Sequence, residues 1–457
     1  MTTIAAPATA LYPAGVAVIR ISGPGSAAIL SGIFKSRQSP IQHPHQLIFG
    51  KIVDPASGNV LDTCLAVYMP APRSFTGEDT VELQIHGSPL IAKNVLGVVY
   101  SAGARPAEPG EFSKRAYLNG KLDLVQAEAL CDLINATSEQ ALKIAQEQLE
   151  GRFSKVITEL GEPLRDLLAE IEATIDFPEE DIQPEVKERF NLVTENAVDT
   201  IKCLLASYSY GHVMRDGFRV LLCGPPNVGK SSILNTLLGE DRVIVSEESG
   251  TTRDLIEEHV LISNYRFVFC DSAGIRDNPG KIEQRGIELA KSKVTWADLV
   301  LFVVDAGDKD TLYSEILEDL RNKAKNLWMV VNKIDAYPDA VGNIICDSNV
   351  CSRTIYVSAK TVEGLSALRE ALVETIESGM PDNLEGGAVV TNERHRLALR
   401  RARRSLELAR DAFKDSLPLE LVSSELRIAL TALEELIGIT TTEDILGRIF
   451  SKFCIGK

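Results

Sequence analysis

The first part of the chain alternates apolar and polar residues with the period of a β-strand. Residues 15–22 read GVAVIRIS and residues 80–85 read TVELQI, and each run is bounded by turn-forming residues. Between them, residues 35–46 are polar and contain proline and histidine, which predicts a loop. We therefore predict a small α+β domain over residues 1–119.

From residue 122 to about residue 210 the period changes to that of a helix. Apolar side chains recur three and four residues apart with charges between them, as at Leu160, Leu164, Leu167, Leu168 and Ile171. An acidic stretch at 176–181 predicts a break between two helices, and a solvated loop is its ordinary interpretation. These residues predict a first helical segment over 120–216.

The third pattern consists of short apolar runs separated by helical stretches. Alternation of this kind predicts a doubly wound, mainly parallel sheet, with strands at 218–223, 299–305, 327–332 and 354–358. We assign this α/β domain to residues 217–380. Helical spacing returns in residues 381–457, so the α/β domain is predicted to be inserted into one helical domain.

Composition narrows the class of protein. The 457 residues are 45% hydrophobic and 25% charged, which is typical of folded globular chains of about three domains. A net charge of −16 argues against nonspecific coating of nucleic acid, because phosphate neutralisation needs an excess of lysine and arginine. No run approaches the length of a membrane span, the N-terminus lacks a signal-peptide pattern, and the eight cysteines form no Cys-x-x-Cys pair. We expect a cytosolic protein whose cysteines are mostly core residues.

Four short motifs in the α/β segment form a guanine-nucleotide set. They read GPPNVGKS at 224–231, DSAG at 271–274, NKID at 332–335 and SAK at 358–360. A phosphate loop alone fits any P-loop NTPase, but the NKID element selects the base, so the set indicates GTP hydrolysis. The residues expected to bind GTP are Asn227, Val228, Gly229, Lys230, Ser231, Ser232, Ser246, Glu247, Glu248, Ser249, Gly250, Thr251, Thr252, Asp271, Ser272, Ala273, Gly274, Asn332, Lys333, Asp335, Ser358, Ala359 and Lys360.

Each motif has a chemical role. Backbone N–H groups of the loop and the charge of Lys230 face the phosphates, and Asp335 accepts hydrogen bonds that guanine offers and adenine does not. The Mg²⁺ ligands expected are Ser231, Thr252 and Asp271. Ile275 follows DSAG where Ras-like enzymes carry a glutamine that orients the attacking water, so another group must do this; Glu283 and Arg276 are the nearby candidates.

Three further motifs extend over the rest of the chain. They are SFTGED at 74–79 followed by ELQ at 82–84, PGEF at 109–112 followed by NGKLDL at 119–124, and FCIGK at 453–457. With the nucleotide set, they make the chain resemble the MnmE (TrmE) family of tRNA uridine-modification GTPases over nearly its whole length. The resemblance implies a multidomain fold: an N-terminal α+β folate-binding and dimerisation domain, and a helical domain interrupted by a Ras-like P-loop GTPase domain.

The resemblance also implies a reaction. With an FAD-containing partner, MnmG, the family uses a folate one-carbon unit, carried by 5,10-methylene- or 5-formyl-tetrahydrofolate, to modify C5 of tRNA wobble uridine. The folate residues implied are Arg20, Glu82, Lys121 and Lys457, and a pterin edge and a glutamate tail do suit a carboxylate and cations. Cys454 is a candidate nucleophile, although a structural thiol would fit its position equally well.

For the GTPase reaction, the resemblance implies a K⁺ ion beside the phosphates and a homodimer whose G domains pair. The K⁺ residues implied are Asn227, Ser246, Glu248 and Thr251, and among the two water-orienting candidates the resemblance favours Glu283. The catalytic residues expected are then Lys230, Thr252, Glu283 and Cys454.

An arginine-rich helical segment at 391–413 is the best candidate for a tRNA surface. Its arginines are at 394, 396, 400, 401, 403, 404 and 410. The alternative is a solvated helix face with ion pairs inside the helix. For the whole chain, the alternative function is a ribosome-assembly or translation GTPase that binds RNA and performs no modification; it predicts neither the folate residues nor the terminal motif.

Overall fold

The structure is a computed structural model that describes residues 2–176, 184–241, 257–271, 293–307, 313–341, 344, 347, 349–379, 388–451, 453 and 456. The chain divides into two compact units. Unit 1 comprises Met1–Cys131, Gln148–Gln183 and Asp411–Lys457, and unit 2 comprises Asp132–Glu147 and Pro184–Arg410. The predicted domain boundaries at 119, 216 and 380 stay predictions.

Unit 1 contains a sheet whose order, in the described residues, is β3-β4-β5-β6-β2-β1-β7. The strands are β1 Ile4–Pro7, β2 Ala14–Ser22, β3 Phe34–Ser36, β4 Ile48–Val53, β5 Val60–Met69, β6 Thr80–Gly87 and β7 Arg105–Pro106. The two strands predicted here are β2 and β6, and β3 takes the first residues of the predicted loop. Neighbours are antiparallel except β1 and β7.

One face of this sheet is covered, and the other, which we call the open face, is covered only at one end, where Ile4 and Ala6 are buried in a cluster with Phe112. Helices α1 Ser26–Ile33 and α2 Pro89–Ser101 pack on the face that presents Ile19, Ile21 and Leu83, all fully buried. Because side chains alternate along a strand, Arg20 and Glu82 lie on the opposite face. That open face also presents the exposed side chains of Val16 and Phe49.

The next helices along the chain are α3 Glu111–Leu118, α4 Leu124–Asn135, α5 Glu139–Leu149 and α6 Arg152–Asp176. Two helices near the C-terminus, α13 Leu419–Ile437 and α14 Glu443–Phe450, belong to unit 1. Helix α13 packs along α6, with Arg165 of α6 3.3 Å from Glu434 of α13. Helices on either side of the α/β segment therefore share one core, as the predicted insertion requires.

Unit 2 holds the parallel sheet. In the described residues its order is β13-β12-β11-β8-β10-β9, with only β9 antiparallel. The strands are β8 Phe218–Cys223, β9 Glu257–Ile262, β10 Tyr265–Asp271, β11 Leu299–Asp305, β12 Leu327–Asn332 and β13 Arg353–Tyr356. Helix α5 belongs to this unit except for its last two residues. The other helices are α7 Pro184–Ala206, α8 Tyr208–Asp216, α9 Lys230–Asp241, α10 Ser314–Lys323, α11 Leu365–Glu377 and α12 Glu393–Lys414, whose last turn falls in unit 1.

The central strands β11 and β12 of unit 2 are almost entirely apolar because both faces of the sheet are covered there. Val220, Leu301 and Val330 belong to one core cluster, and the next residues along their strands, Leu221 and Val331, belong to the other. The mixed fold class predicted from the sequence is confirmed. No helix within the described ranges is long and apolar enough to cross a membrane.

The cysteines divide between core and surface. Cys64, Cys223 and Cys270 are buried thiols, and burial raises the pKa of Cys64 and of Cys223 to about 12. Cys203 is exposed, and Cys351 is buried and disulfide-bonded. Thiols with so high a pKa stay protonated and are poor nucleophiles.

Candidate functional site

The loop between β8 and α9 is pressed closely against its neighbours. Gly224 has φ +139° and Gly229 has φ +95°, and a Cβ on either would collide, with the carbonyl of Val303 or with the amide of Asn332 respectively. Glycine alone is tolerated at both positions. The tight course of the loop directs its backbone N–H groups and the N-terminus of α9 toward one point, an arrangement that binds phosphate.

Lys230 is the first residue of α9 and is 7% exposed. Its Nζ donates to the carbonyl oxygens of Gly224 at 3.0 Å and Pro225 at 2.7 Å. The ammonium group is thus held beneath the loop, where it lies beside any phosphate that the loop binds. Ser231 and Ser232 follow in the first turn of α9, and both are exposed.

Asn332 connects the phosphate loop to the SAK loop. Its Nδ2 donates to the Val228 carbonyl at 2.8 Å, and its Oδ1 accepts from the Ala359 N–H at 3.1 Å. The side chain is 2% exposed, so both bonds are shielded from water. One buried amide therefore fixes the distance between the loop that faces the phosphates and the loop expected to face the base.

Asp335 is exposed, and its carboxylate is held by a neighbour. The Ser358 hydroxyl donates to Asp335 Oδ1 at 2.7 Å and accepts the Thr361 N–H at 3.1 Å. Ser358 is fully buried, whereas Lys360 of the same motif is exposed. The carboxylate is oriented before any base binds, which suits recognition of the guanine N1–H and amino group.

Lys333 joins this group through Asp305, which the sequence pattern had indicated only as the last residue of a strand. Its Nζ donates to the Asn227 carbonyl at 2.9 Å and to Asp305 Oδ2 at 2.6 Å. Burial raises the pKa of Asp305, but hydrogen bonds from Lys333 and the Gly307 N–H outweigh it, so the pKa lies below its ordinary value. The sequence signal that could have found Asp305 is its place as the last residue of a predicted strand. In the structure it ends β11 in register with Asn332 on the adjacent parallel strand.

The expected Mg²⁺ residues in the described ranges lie at neighbouring element ends. Asp271 is the last residue of β10, whose parallel partner β8 leads into the phosphate loop, and Asp271 is in register with Leu222. Ser231 lies in the first turn of α9, just beyond that loop. The backbone thus brings the start of the DSAG motif to the same edge of the sheet as the phosphate loop.

Several predicted residues lie outside the described ranges. They are Ser246, Glu247, Glu248, Ser249, Gly250, Thr251, Thr252, Ser272, Ala273, Gly274, Arg276, Glu283, Cys454 and Lys457.

In unit 1, Arg20 and Glu82 are cross-strand partners on the open face of the sheet. Arg20 Nε and Nη2 both lie 2.9 Å from Glu82 Oε1, and the two side chains are 21% and 20% exposed. The guanidinium also lies over two aromatic rings, 5.3 Å from the centroid of Phe75 and 5.7 Å from that of Phe112. This half-buried site offers charge of both signs between flat apolar surfaces.

A buried network of ion pairs holds the residues around Arg20. Arg115, with a side chain 5% exposed, donates to Glu78 Oε2 at 2.9 Å and to Glu111 Oε1 at 2.8 Å. Glu78 also accepts from the Ser22 hydroxyl at 2.8 Å. Burial raises the pKa of Glu111, but hydrogen bonds from Arg105, the Glu108 N–H and Arg115 together lower it to about 2.

The predicted folate residue Lys121 lies beside this network. Its Nζ donates to the Pro72 carbonyl at 3.2 Å, and its stem runs past Gly77 in the SFTGED loop. The neighbouring Asn119 donates to the Thr76 carbonyl at 2.7 Å. The NGKLDL motif is thus hydrogen-bonded to the SFTGED loop, which also contains Phe75.

The C-terminal motif reaches the same region. Gly110 has φ +67°, and a Cβ there would lie 3.0 Å from Phe453 Cβ, while Gly456 lies against the carbonyl of Pro7. Pro7 ends β1, and the preceding residue, Ala6, is in register with Arg20. All three motifs therefore converge around Arg20. Sequence reasoning had missed Phe75, Phe112 and Arg115, although each lies in or next to a motif it had quoted.

Comparisons with known proteins identify the family of the chain. A family model described as GTP-binding protein TrmE N-terminus matches residues 3–121, and one described as MnmE helical domain matches residues 124–454. Proteins named tRNA modification GTPase MnmE are 42% identical in Geobacter sulfurreducens, 41% in Akkermansia muciniphila and 39% in Clostridioides difficile, each alignment covering 100% of this chain and 99% of the relative. The chain belongs to the MnmE family of tRNA modification GTPases.

Proposed function

We propose that this protein hydrolyses GTP and, with the FAD-dependent enzyme MnmG, uses a folate one-carbon unit to add an aminomethyl or carboxymethylaminomethyl group to C5 of tRNA wobble uridine (U34). The supporting observation is that one chain carries both a nucleotide site tied together by Asn332 and a separate site around Arg20 and Glu82. A GTPase that only binds RNA has no need of the second site. The full-length relatives named tRNA modification GTPase support the same assignment.

GTP fits the first site by the chemistry of its donors. Lys230 and the loop N–H groups neutralise the phosphates, and Mg²⁺ would be held by Ser231, Thr252 and Asp271. K⁺ would be held by Asn227, Ser246, Glu248 and Thr251 in place of an arginine finger, with Glu283 orienting the water. In support, the exposed side chain of Asn227 makes no hydrogen bond within the described residues, while its carbonyl accepts from Lys333.

Folate fits the second site for similar reasons. The carboxylate of Glu82 can accept from the amino-pyrimidine edge of a pterin, whereas Arg20, Lys121 and Lys457 suit the carboxylates of its tail. Phe75 and Phe112 offer flat faces beside Arg20. Cys454 follows Phe453 in the tail that reaches this region, so we propose it as the nucleophile.

Homodimerisation is proposed through the open face of the sheet. Val16 is 57% exposed and Phe49 is 68% exposed on the face that carries Arg20. Apolar side chains this exposed on a sheet face favour coverage by a second copy.

The decisive experiment is nucleoside analysis of bulk tRNA from cells that lack the gene and are complemented with variants. Deletion should abolish the C5-modified wobble uridines, and Arg20→Ala should fail to restore them while its GTPase rate is unchanged. Arg73→Ala is the matched control, because Arg73 is exposed next to the same loop and makes no ion pair within the described residues. Unchanged wobble uridines after deletion would overturn the proposal and favour the RNA-binding GTPase instead.

Two measurements test the finer assignments. GTP hydrolysis should be much faster in KCl than in NaCl, and equal rates would remove the K⁺ site. Cys454→Ser should abolish tRNA modification but leave hydrolysis intact; full modification by this variant would eliminate the nucleophile.

A further inference from the structure

Helix α12 has one exposed ridge along its length, formed by Leu397, Arg400, Arg401, Arg404 and Leu408. At about 100° per residue these side chains fall within roughly a third of the helix circumference. The opposite side is buried, at Ala398, Leu399, Ala402, Leu406 and Ala409. We call the exposed set the α12 ridge.

The arginines of α12 differ in their partners. Arg396 pairs with Glu393 and lies over the ring of Tyr208, and Arg403 lies 3.4 Å from Glu407. These two follow the ordinary pattern of ion pairs inside a helix. Arg400 and Arg404, in contrast, are exposed and make no ion pair with any described residue. The carboxylates of Glu393 and Glu407 form their ion pairs with the other two arginines. Arg400 acts on Glu393 only beyond ion-pair distance, where it helps the hydrogen bond from Arg396 to lower the pKa of that carboxyl.

We propose that the α12 ridge binds the sugar–phosphate backbone of the tRNA substrate. This inference rests on the proposed function and adds a surface to it. In a chain of net charge −16, two guanidinium groups on one exposed ridge that form no ion pair with a described residue are complementary to a polyanion. Arginine suits this role because its planar fork binds phosphate oxygens in pairs.

The dimensions and the flanking residues of the ridge also fit RNA. Arg400 and Arg404 are one turn apart, a rise of about 6 Å, so both can reach phosphates of a single strand. Leu397 and Leu408, 54% and 43% exposed, bound the arginines at each end and leave only small apolar contacts for a partner. The ridge therefore contributes affinity without reading bases.

The test compares two double variants of equal charge. Arg400→Gln/Arg404→Gln removes the unpaired arginines, and Arg396→Gln/Arg403→Gln removes the paired ones on the same helix. Affinity for unmodified tRNA is measured over a range of KCl concentrations. The first variant should bind about tenfold more weakly, with a slope of log K against log salt reduced by about 1.4–1.8, the value expected for two lost phosphate contacts. The second should stay within about twofold of the wild type.

Fold integrity is checked by the melting temperature and by GTP hydrolysis without tRNA, which should be unchanged in Arg400→Gln/Arg404→Gln. If that variant melts early, the single change Arg404→Gln should still reduce the salt slope by about half as much. If the double variant keeps the wild-type affinity and salt slope, the role of the α12 ridge in tRNA binding is overturned but the proposed function is not. Loss of binding to the FAD-containing partner with tRNA binding intact would lead to the same conclusion. Failure of the wild-type protein to bind tRNA would remove the proposed function as well.

Discussion

The nucleotide site and the Arg20 site are built in different ways within one chain. The nucleotide site consists mainly of backbone, a tight loop and strand ends that a few short side-chain bonds hold in register. The Arg20 site consists of side chains on the open face of an antiparallel sheet, held by the buried ion pairs of Glu78, Glu111 and Arg115. One site depends on where the chain can turn, and the other on which charges are paired.

This difference determines how each site tolerates change. A backbone site is sensitive to any side chain that blocks the loop, whereas a charged network is sensitive to the loss of one partner, because the remaining charge stays buried. Substitutions in the two units should therefore have separate consequences.

The largest effect is expected in unit 1 from Arg115→Met. This change leaves the carboxylate of Glu78 buried without its cation and leaves Glu111 with Arg105 alone, which costs about 3–5 kcal/mol. Hydrogen exchange should show faster opening of residues 74–79 and of α3, with GTP affinity unchanged. Arg427→Met is the control, since its pair with Glu172 is largely exposed and should matter by less than about 1 kcal/mol. Equal effects of the two variants would contradict the role of the network.

The same network predicts a pH dependence. The folded pKa of Glu111, about 2, lies below the ordinary value of 4.5, so its stabilisation is complete above about pH 4.5 and is lost as the pH falls toward 2. The loss is about 3 kcal/mol at one pKa unit per 1.36 kcal/mol. Hydrogen exchange of α3 between pH 5 and pH 2.5 measures it. Glu111→Gln should be less stable at pH 7 and show a flatter profile over this window, and a profile as steep as that of the wild type would assign the dependence to other carboxyls.

How much of each site could be predicted from sequence follows from the same contrast. The loop from Gly224 to Lys230 and the Asn332 element are contiguous motifs, because strand ends and turns are local features, and the elements that carry them were predicted nearly to the residue. The contact of Arg20 with Phe75 and Phe112 joins three separated segments, and no local pattern encodes it. Resemblance to a family identified Arg20 and Glu82, but it did not supply the Arg115 network, which required side-chain positions.

In unit 2, the largest effect should come from Gly224→Ala. The added Cβ would collide with the Val303 carbonyl at φ +139°, so the loop must move away from β11. We expect GTP affinity, measured with a fluorescent analogue, to fall by about 100-fold, or about 2.7 kcal/mol. Gly239→Ala in α9 is the control, because nothing lies within 4 Å of the added carbon. If both variants bind GTP like the wild type, the backbone of the loop is not the limiting element.

The smallest effect should come from Ser358→Ala, which tests whether side-chain pairing also matters in the backbone-built site. Without the 2.7 Å hydrogen bond from Ser358, the exposed carboxylate of Asp335 loses its fixed orientation but keeps its charge. GTP affinity should fall by about five- to tenfold, or about 1 kcal/mol. Because Asp335 is expected to recognise the guanine amino group, the preference for GTP over inosine triphosphate should fall with it. Ser352→Ala, just before β13, removes a hydroxyl that bonds Asn326 instead and should change neither quantity. A preference that survives in Ser358→Ala would mean that the loop backbone alone positions Asp335, and the two sites would then differ even more than their hydrogen bonds indicate.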